Sequence, residues 1–121
     1  RTTNKFKNIL TNNSSLPVGY ALYDDKTLIG FIVLKKDNLV KYPNITPWID
    51  DVMILEEYRK QGYGKKMVNL LLEEMKKLGY NKAYLWTDKA PDFYKKIGFT
   101  FKMMVEKNNN EGYGELYYKE F

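Results

Sequence analysis

The sequence contains no cysteine and no histidine. Without cysteine there is no disulfide framework, no thiol nucleophile and no acyl-cysteine intermediate. Without histidine there is no Ser-His-Asp triad, and without either residue no metal site of the usual imidazole or thiolate kind, so no metal is expected. Serine is scarce as well: Ser14 and Ser15 stand side by side in a polar stretch, poor material for a serine hydrolase. No apolar run approaches the ~20 residues that a membrane-spanning helix needs, and no signal-peptide pattern is visible. The expectation is a soluble, cytoplasmic domain. The chain starts at Arg1 and not at Met, so an upstream piece is expected to have been lost or removed.

What is present is a single domain's worth of chain, 121 residues with 44 % apolar and 16 % aromatic residues, a globular and not a disordered composition. A chain of this size can bury a real core without covalent staples. The net charge is +5, from 20 Lys and Arg against 15 acids. A basic surface suits nucleic acid, an acidic membrane or a phosphorylated small molecule, or reflects a compositional bias towards Lys. Where the cations sit decides more than their number.

Phe6, Ile9 and Leu10 fall at helical spacing, so a short helix ending near Thr11 is predicted, followed by a polar loop to Ser15. Leu16–Tyr23 and Thr27–Lys35 read as strands joined by a hairpin turn at Asp24-Asp25-Lys26. Residues 36–47, with Pro43 and Pro47, read as a loop, and Trp48–Leu55 as a third strand. Gly62–Leu78 is the clearest helix: Gly64, Val68, Leu71, Met75 and Leu78 fall on one face, Glu73 can reach Lys77 on the other, and Gly79 ends it. Lys82–Thr87 reads as a strand, Pro91–Ile97 as a short helix closed by Gly98, and Phe99–Glu106 and Glu115–Phe121 as strands around a polar turn. There are no repeats and no internal boundary, so residues 1–121 form one domain. The central strand–helix–strand unit should be parallel with a right-handed crossover. The fold class is therefore α/β (α+β), a mixed, mostly antiparallel sheet with helices packed on it.

The chemistry concentrates where a strand enters the long helix. Arg59, Lys60, Lys65 and Lys66 surround the helix N-terminus, the wrong sign for a helix dipole unless an anion binds there. Free first-turn N–H groups, with Gly62 and Gly64 permitting close approach, make a phosphate cradle; a tight turn with solvated lysines is the alternative. Neither the Walker-type loop nor a complete G-x-G-x-x-G is present.

Arg59-Lys60-Gln61-Gly62-Tyr63-Gly64 matches the [R/Q]-x-x-G-x-[G/A] pyrophosphate signature of the GNAT superfamily of acetyl-CoA-dependent N-acetyltransferases, and Phe93-Tyr94-Lys95-Lys96-Ile97-Gly98-Phe99 matches its later aromatic-Tyr and Gly-Phe signature. The resemblance covers roughly residues 16–121. It implies a V-shaped splay between the two parallel strands, with the pantetheine arm of acetyl-CoA pairing with the backbone of Met53, Ile54 and Leu55. It places the pyrophosphate on the N–H groups of Arg59, Lys60, Gln61, Gly62, Tyr63, Gly64 and Lys65, and Tyr94 beside the cofactor sulfur. Thr87 stands where many relatives carry Asn, and its hydroxyl can still hydrogen-bond there with less reach. The family's first strand and most of its first helix are expected to be missing before Arg1, leaving residues 1–15 as a remnant helix and loop.

A primary amine has a pKa near 10.4, so at pH 7 only ~1 molecule in 2,500 is the free nucleophile. Asp50 and Asp51 offer a base for that proton. On a regular strand they face opposite sides, so only one can point into the cleft, and the resemblance aligns Asp50 with the family's base position. The same acids equally serve to attract a cationic substrate, or to pair structurally. A tyrosine phenol, protonated at neutral pH, can supply a proton to the leaving thiolate; Tyr94 is the family's residue for it. The resemblance thus implies an N-acetyltransferase acting by direct attack of a primary amine on acetyl-CoA in a ternary complex, the acceptor being a small molecule or a peptide or protein amine. The alternatives are a non-catalytic acyl-CoA-binding or regulatory module, and a nucleic-acid-binding domain, which the clustering of cations at one helix start disfavours. No membrane partner is expected, and a homodimer is left open.

Overall fold

The computed structural model describes residues 4–9 and 16–121. Seven strands form one sheet, β1 (Asn4–Asn8), β2 (Val18–Asp24), β3 (Thr27–Lys35), β4 (Trp48–Ile54), β5 (Lys82–Thr87), β6 (Thr100–Glu106) and β7 (Tyr113–Glu120), in the order β1-β2-β3-β4-β5-β7-β6. Two helices, α1 (Tyr63–Lys77) and α2 (Pro91–Lys96), join β4 to β5 and β5 to β6. Every strand pair is antiparallel except β4 with β5. This is the predicted α/β mixed, mostly antiparallel sheet, with the parallel strand–helix–strand unit at its centre. Among the described residues, no helix is long and apolar enough to cross a membrane.

The helix predicted near the N-terminus is instead strand β1. Five residues cannot support an isolated helix, whereas the free edge of β2 supplies backbone partners from Asn4↔Asp24 to Asn8↔Tyr20. Phe6 then stacks on Tyr20, ring centroids 4.8 Å apart. The predicted helix end at Leu10 and Thr11 and the loop predicted over residues 12–15 lie outside the described residues.

α1 forms because its apolar positions fall on one face, and Met67, Val68, Leu71, Leu72 and Met75 are buried. It ends in a Schellman motif: Tyr80 N–H donates to Met75 O and Gly79 N–H to Lys76 O, with Gly79 at φ 93°. The predicted Glu73–Lys77 pair is replaced by two pairs one residue shorter, Glu73–Lys76 at 3.4 Å and Glu74–Lys77 at 3.0 Å. Both spacings are neighbours on a helix surface, so two acids and two lysines in sequence can share out either way.

The larger core lies between the helices and the sheet. On the other face Leu39, Trp48, Val105 and Leu116 form a smaller core, with Tyr42 and Ile45 packed against it. The 36–47 segment is thus irregular in backbone, as predicted, but it is the cover of a sheet face. It is tied to the β6–β7 turn: Asn108 Nδ2 donates to Asn38 O (3.0 Å), Val40 N–H to Asn108 Oδ1 (2.8 Å) and Glu106 N–H to the Tyr42 hydroxyl (2.9 Å). Strand β7 begins at Tyr113, two residues earlier than predicted, and Gly114 fits there because a Cβ would stand 2.8 Å from the Trp86 ring.

Candidate active site

The parallel strands β4 and β5 pair at one position only, Trp48↔Tyr84, and Tyr84 N–H donates to Pro47 O at 3.0 Å. Beyond it they part, leaving one side of late β4 unpaired. A cleft of about 460 Å³ opens there on the helix side, within the usual range for small-molecule sites. Its lining brings together the predicted Ile54, Arg59, Lys60, Gly62, Tyr63, Gly64, Lys65 and Tyr94. Val52, Tyr58 and Phe93 line it too, and sequence reasoning missed them as site residues. The one signal that could have found them is position: Val52 and Tyr58 flank the strand-to-helix junction, and Phe93 precedes Tyr94.

The turn into α1 is built to present amides. Lys60 and Gly62 both take the left-handed conformation, φ 63° and 86°, and alternation of hand turns successive N–H groups to one side. The first helical bond is Lys66 N–H to Gly62 O, so among the described residues the amides of Lys60 through Lys65 have no acceptor, whereas the Arg59 amide, expected with them, instead closes the preceding turn by donating to Glu56 O at 3.2 Å. No side chain caps the helix, and its first turn holds no acid. Arg59, Lys60, Lys65 and Lys66 form no ion pair with any described carboxylate. The Gln61 side chain turns away, donating to Glu57 O at 3.0 Å, which leaves only its backbone to the cradle. Gly62 needs its φ and not its small size, since a Cβ would meet nothing within 4 Å. At Gly64 the reason is contact: a Cβ would lie 3.2 Å from the Phe93 ring, so the first turn of α1 seats directly on α2.

Of Met53, Ile54 and Leu55, the geometry offers Ile54 to the cleft. Leu55 N–H donates to Ile29 O at 2.8 Å, on the β3 side. Strand alternation then points the N–H and C=O of Ile54 to the open side and those of Met53 to β3. Ile54 O already accepts from Arg59 Nε at 2.8 Å, and Arg59 also approaches the Met53 sulfur at 3.8 Å. The arginine therefore bridges from the turn to the end of β4.

Tyr94 is held edge-on between Phe93 (5.0 Å) and Phe99 (5.9 Å). Burial raises its phenol above the ordinary value of 10.0, so it is fully protonated at neutral pH. Its hydroxyl has no hydrogen-bond partner among the described residues. Thr87 does something different: Oγ1 accepts from Ala90 N–H (3.0 Å) and Lys89 N–H (3.4 Å), fixing the turn into α2, and Thr87 lines neither cleft.

A second cleft of about 360 Å³ lies on the loop side and shares Val52 with the first. Asp50, Asp51, Trp86, Phe31 and Asn38 line it, and the Trp86 indole donates to Asn38 Oδ1 at 3.3 Å. The expectation that only one of the two acids can face a cleft is corrected here. The β3–β4 register shifts between Phe31 and Val33, and Asp51 takes φ 50° in the resulting bulge. Both carboxylates consequently reach the Lys35 ammonium, Asp50 at 2.8 Å and Asp51 at 3.5 Å.

The acetyltransferase (GNAT) family model matches residues 2–99. The chain belongs to the GNAT acetyltransferase family. Solved structures agree at the level of fold. A GNAT family acetyltransferase from Elizabethkingia anophelis with acetyl-CoA bound aligns with TM-score 0.72 and 16 % identity, over 98 % of each chain. Arabidopsis thaliana NAA60 in complex with a bisubstrate analogue gives 0.72 and 16 %, over 98 % of this chain and 99 % of that one. An aminoglycoside 6'-N-acetyltransferase complexed with coenzyme A gives 0.70 and 19 %, over 86 % and 72 %. No significant match is found among curated protein sequences.

Within this GNAT domain the single paired position Trp48↔Tyr84 is the apex of the V. The glycine turn and Tyr94 share the helix-side cleft, and the acids with Trp86 occupy the loop-side cleft. Loop 36–47 and the β6–β7 turn shape the second cleft through Asn38, a contribution with no motif in sequence.

Proposed function

We propose that this GNAT domain is an N-acetyltransferase that moves the acetyl group of acetyl-CoA to a primary amine by direct attack in a ternary complex. The observation that carries the reading is the meeting of two clefts at Val52, where β4 and β5 part. One offers an anion cradle and an apolar wall, the other two carboxylates and an indole. The pyrophosphate sits on the amides of residues 60–65, and the four nearby cations supply the charge that the helix dipole alone would lack. The pantetheine arm follows late β4, pairing with Ile54, which requires Arg59 to release the Ile54 carbonyl and turn to the phosphates.

The amine enters from the acidic side. Losing its proton costs ~4.6 kcal/mol at pH 7. The Lys35 ammonium already holds the Asp50 carboxylate at 2.8 Å, so in this reading Asp50 and Asp51 attract and hold the amine, whose proton leaves to water. The free amine attacks the thioester carbonyl, the C–N bond forms and the C–S bond breaks. Tyr94 then faces the developing thiolate. Full transfer from a phenol above 10 to a thiol near 8.5 is uphill by at least ~2 kcal/mol. Tyr94 thus acts first as a hydrogen-bond donor in the transition state, and any proton that it gives to sulfur it regains from solvent. The aminoglycoside in the name of one related enzyme supports a small-molecule amine acceptor, with a peptide or protein amine as the other reading.

The experiment is a thermal melt with acetyl-CoA followed by an assay of CoA release across an amine panel. At ~100-fold above Kd the cofactor should stabilise the fold by ~2.7 kcal/mol. No shift at millimolar acetyl-CoA would sink the proposal, and a shift with no CoA release from any amine would leave only a binding module.

A further inference from the structure

Lys35 sits at the end of β3, opposite Trp48, while Val33 stands opposite Asp50. Lys35 and Asp50 are therefore diagonal neighbours on one face. A regular strand would carry Asp51 to the other face, but its left-handed backbone returns it to within 3.5 Å of the same ammonium. A non-glycine residue held at positive φ beside a cleft is the kind of backbone cost that functional sites carry. Among the described residues Lys35 is the only cation paired with either acid. The lining between them holds no other charge, and Phe31, Val52, Met53 and Trp86 make it largely apolar. Two carboxylates and one ammonium leave a net charge of −1, most of it on the more exposed and more distant Asp51.

We propose that Lys35 sets the charge selectivity of the acceptor cleft: by holding Asp50 it leaves one uncompensated carboxylate. The cleft then takes an acceptor with a single cation, its own reacting ammonium, on an apolar or aromatic body, and discriminates against polyamines. The inference rests on the acetyl-transfer reading, because it takes the loop-side cleft as the place where the amine binds. Lys35 is in this sense a positioning residue. It touches the carboxylates and not the reacting atoms.

The test is calorimetric titration of the CoA-bound protein with phenethylamine and with spermidine at low ionic strength, accompanied by turnover of both with acetyl-CoA. Wild type should bind phenethylamine at least ~5-fold more tightly than spermidine, because the apolar lining matches the phenyl body and leaves the two further ammonium groups of spermidine without partners for the water they lose. Lys35→Gln should move that ratio ~5-fold towards spermidine, and Lys35→Arg, which keeps the ion pair, should restore it. Asp51→Asn should weaken phenethylamine binding ~5-fold, and serves if the glutamine variant fails to fold. A wild-type preference for spermidine, a ratio in Lys35→Gln within twofold of wild type, an arginine variant that behaves like glutamine, or unchanged binding in Asp51→Asn would each overturn the proposal. Binding without acetylation of either amine would count against the acetyl-transfer reading alone, since the binding ratio tests Lys35 by itself.

Discussion

Replacing Tyr94 with Phe should make the protein no less stable and much less active, two effects of opposite sign from one oxygen atom. The hydroxyl is largely buried with no described partner, and an unsatisfied buried donor costs ~1–3 kcal/mol when fully enclosed. Tyr94 is only partly enclosed, lining a cleft, so its removal should change stability by ~0–1 kcal/mol in the favourable direction. For a chain of this size that is a Tm rise of at most ~5 °C. The ring contacts with Phe93 and Phe99 survive because the phenyl ring is kept. If the phenol stabilises the leaving thiolate, kcat should fall by ~10²-fold or more, ~2.7 kcal/mol of barrier, with the KM for acetyl-CoA nearly unchanged. The assay is steady-state CoA release with the most active amine, paired with melts in the absence and presence of acetyl-CoA. A variant within twofold of wild-type kcat would refute the role assigned to the hydroxyl. A Tm loss beyond ~5 °C would refute the reading of that hydroxyl as unpartnered.

Gly62→Val should raise the Kd for acetyl-CoA far more than Lys66→Ala, because φ 86° is strained by ~1–2 kcal/mol for an L side chain whereas an exposed lysine offers only a screened attraction; titration of both variants decides it, and a larger loss from Lys66→Ala would make the turn an electrostatic patch. Gly114→Val forces a Cβ to 2.8 Å from the Trp86 ring, so Trp86 must move; the KM for the amine should rise several-fold while acetyl-CoA binding holds, and equal effects on both substrates would remove Trp86 as a wall of the acceptor side. The Tyr117 phenol, buried and bonded to Glu115 at 2.8 Å, is pushed up to about 12 from 10.0. Being raised in the folded state, it contributes stability that is present below pH ~10 and lost as pH rises towards ~12, when the unfolded chain ionises first. Urea melts across pH 9–12 should show that decline, and Tyr117→Phe should flatten it. Leu71→Ala, at a position with no exposed surface, should cost ~2–5 kcal/mol in the same melts without altering the clefts.

The parts of this GNAT domain that were legible in sequence are those governed by neighbours along the chain. β3 and β5 begin and end at the predicted residues, and α1 differs by a single residue at each end. Helical periodicity and glycine punctuation act within a few residues and need no partner. The free amides at the start of α1 were legible for the same reason: the amides of a helix start are free wherever nothing caps them. The V between β4 and β5 came from the family likeness, and the single pair Trp48↔Tyr84 then showed it in the structure.

Other features depend on contacts between residues far apart in sequence, and the tertiary structure alone decided them. Residues 4–8 are a strand because β2 presents a free edge, although the spacing of Phe6, Ile9 and Leu10 suggests a helix. Asp50 and Asp51 share Lys35 because a bulge, placed by the β3–β4 register, breaks the alternation that a lone strand would obey. Arg59 rests on Ile54 because the turn folds back onto the strand it leaves. Loop 36–47 covers a sheet face through Asn108, 70 residues from Asn38. A local pattern states what a segment can form; the partner that lowers the free energy of one form over another is supplied only when distant segments meet.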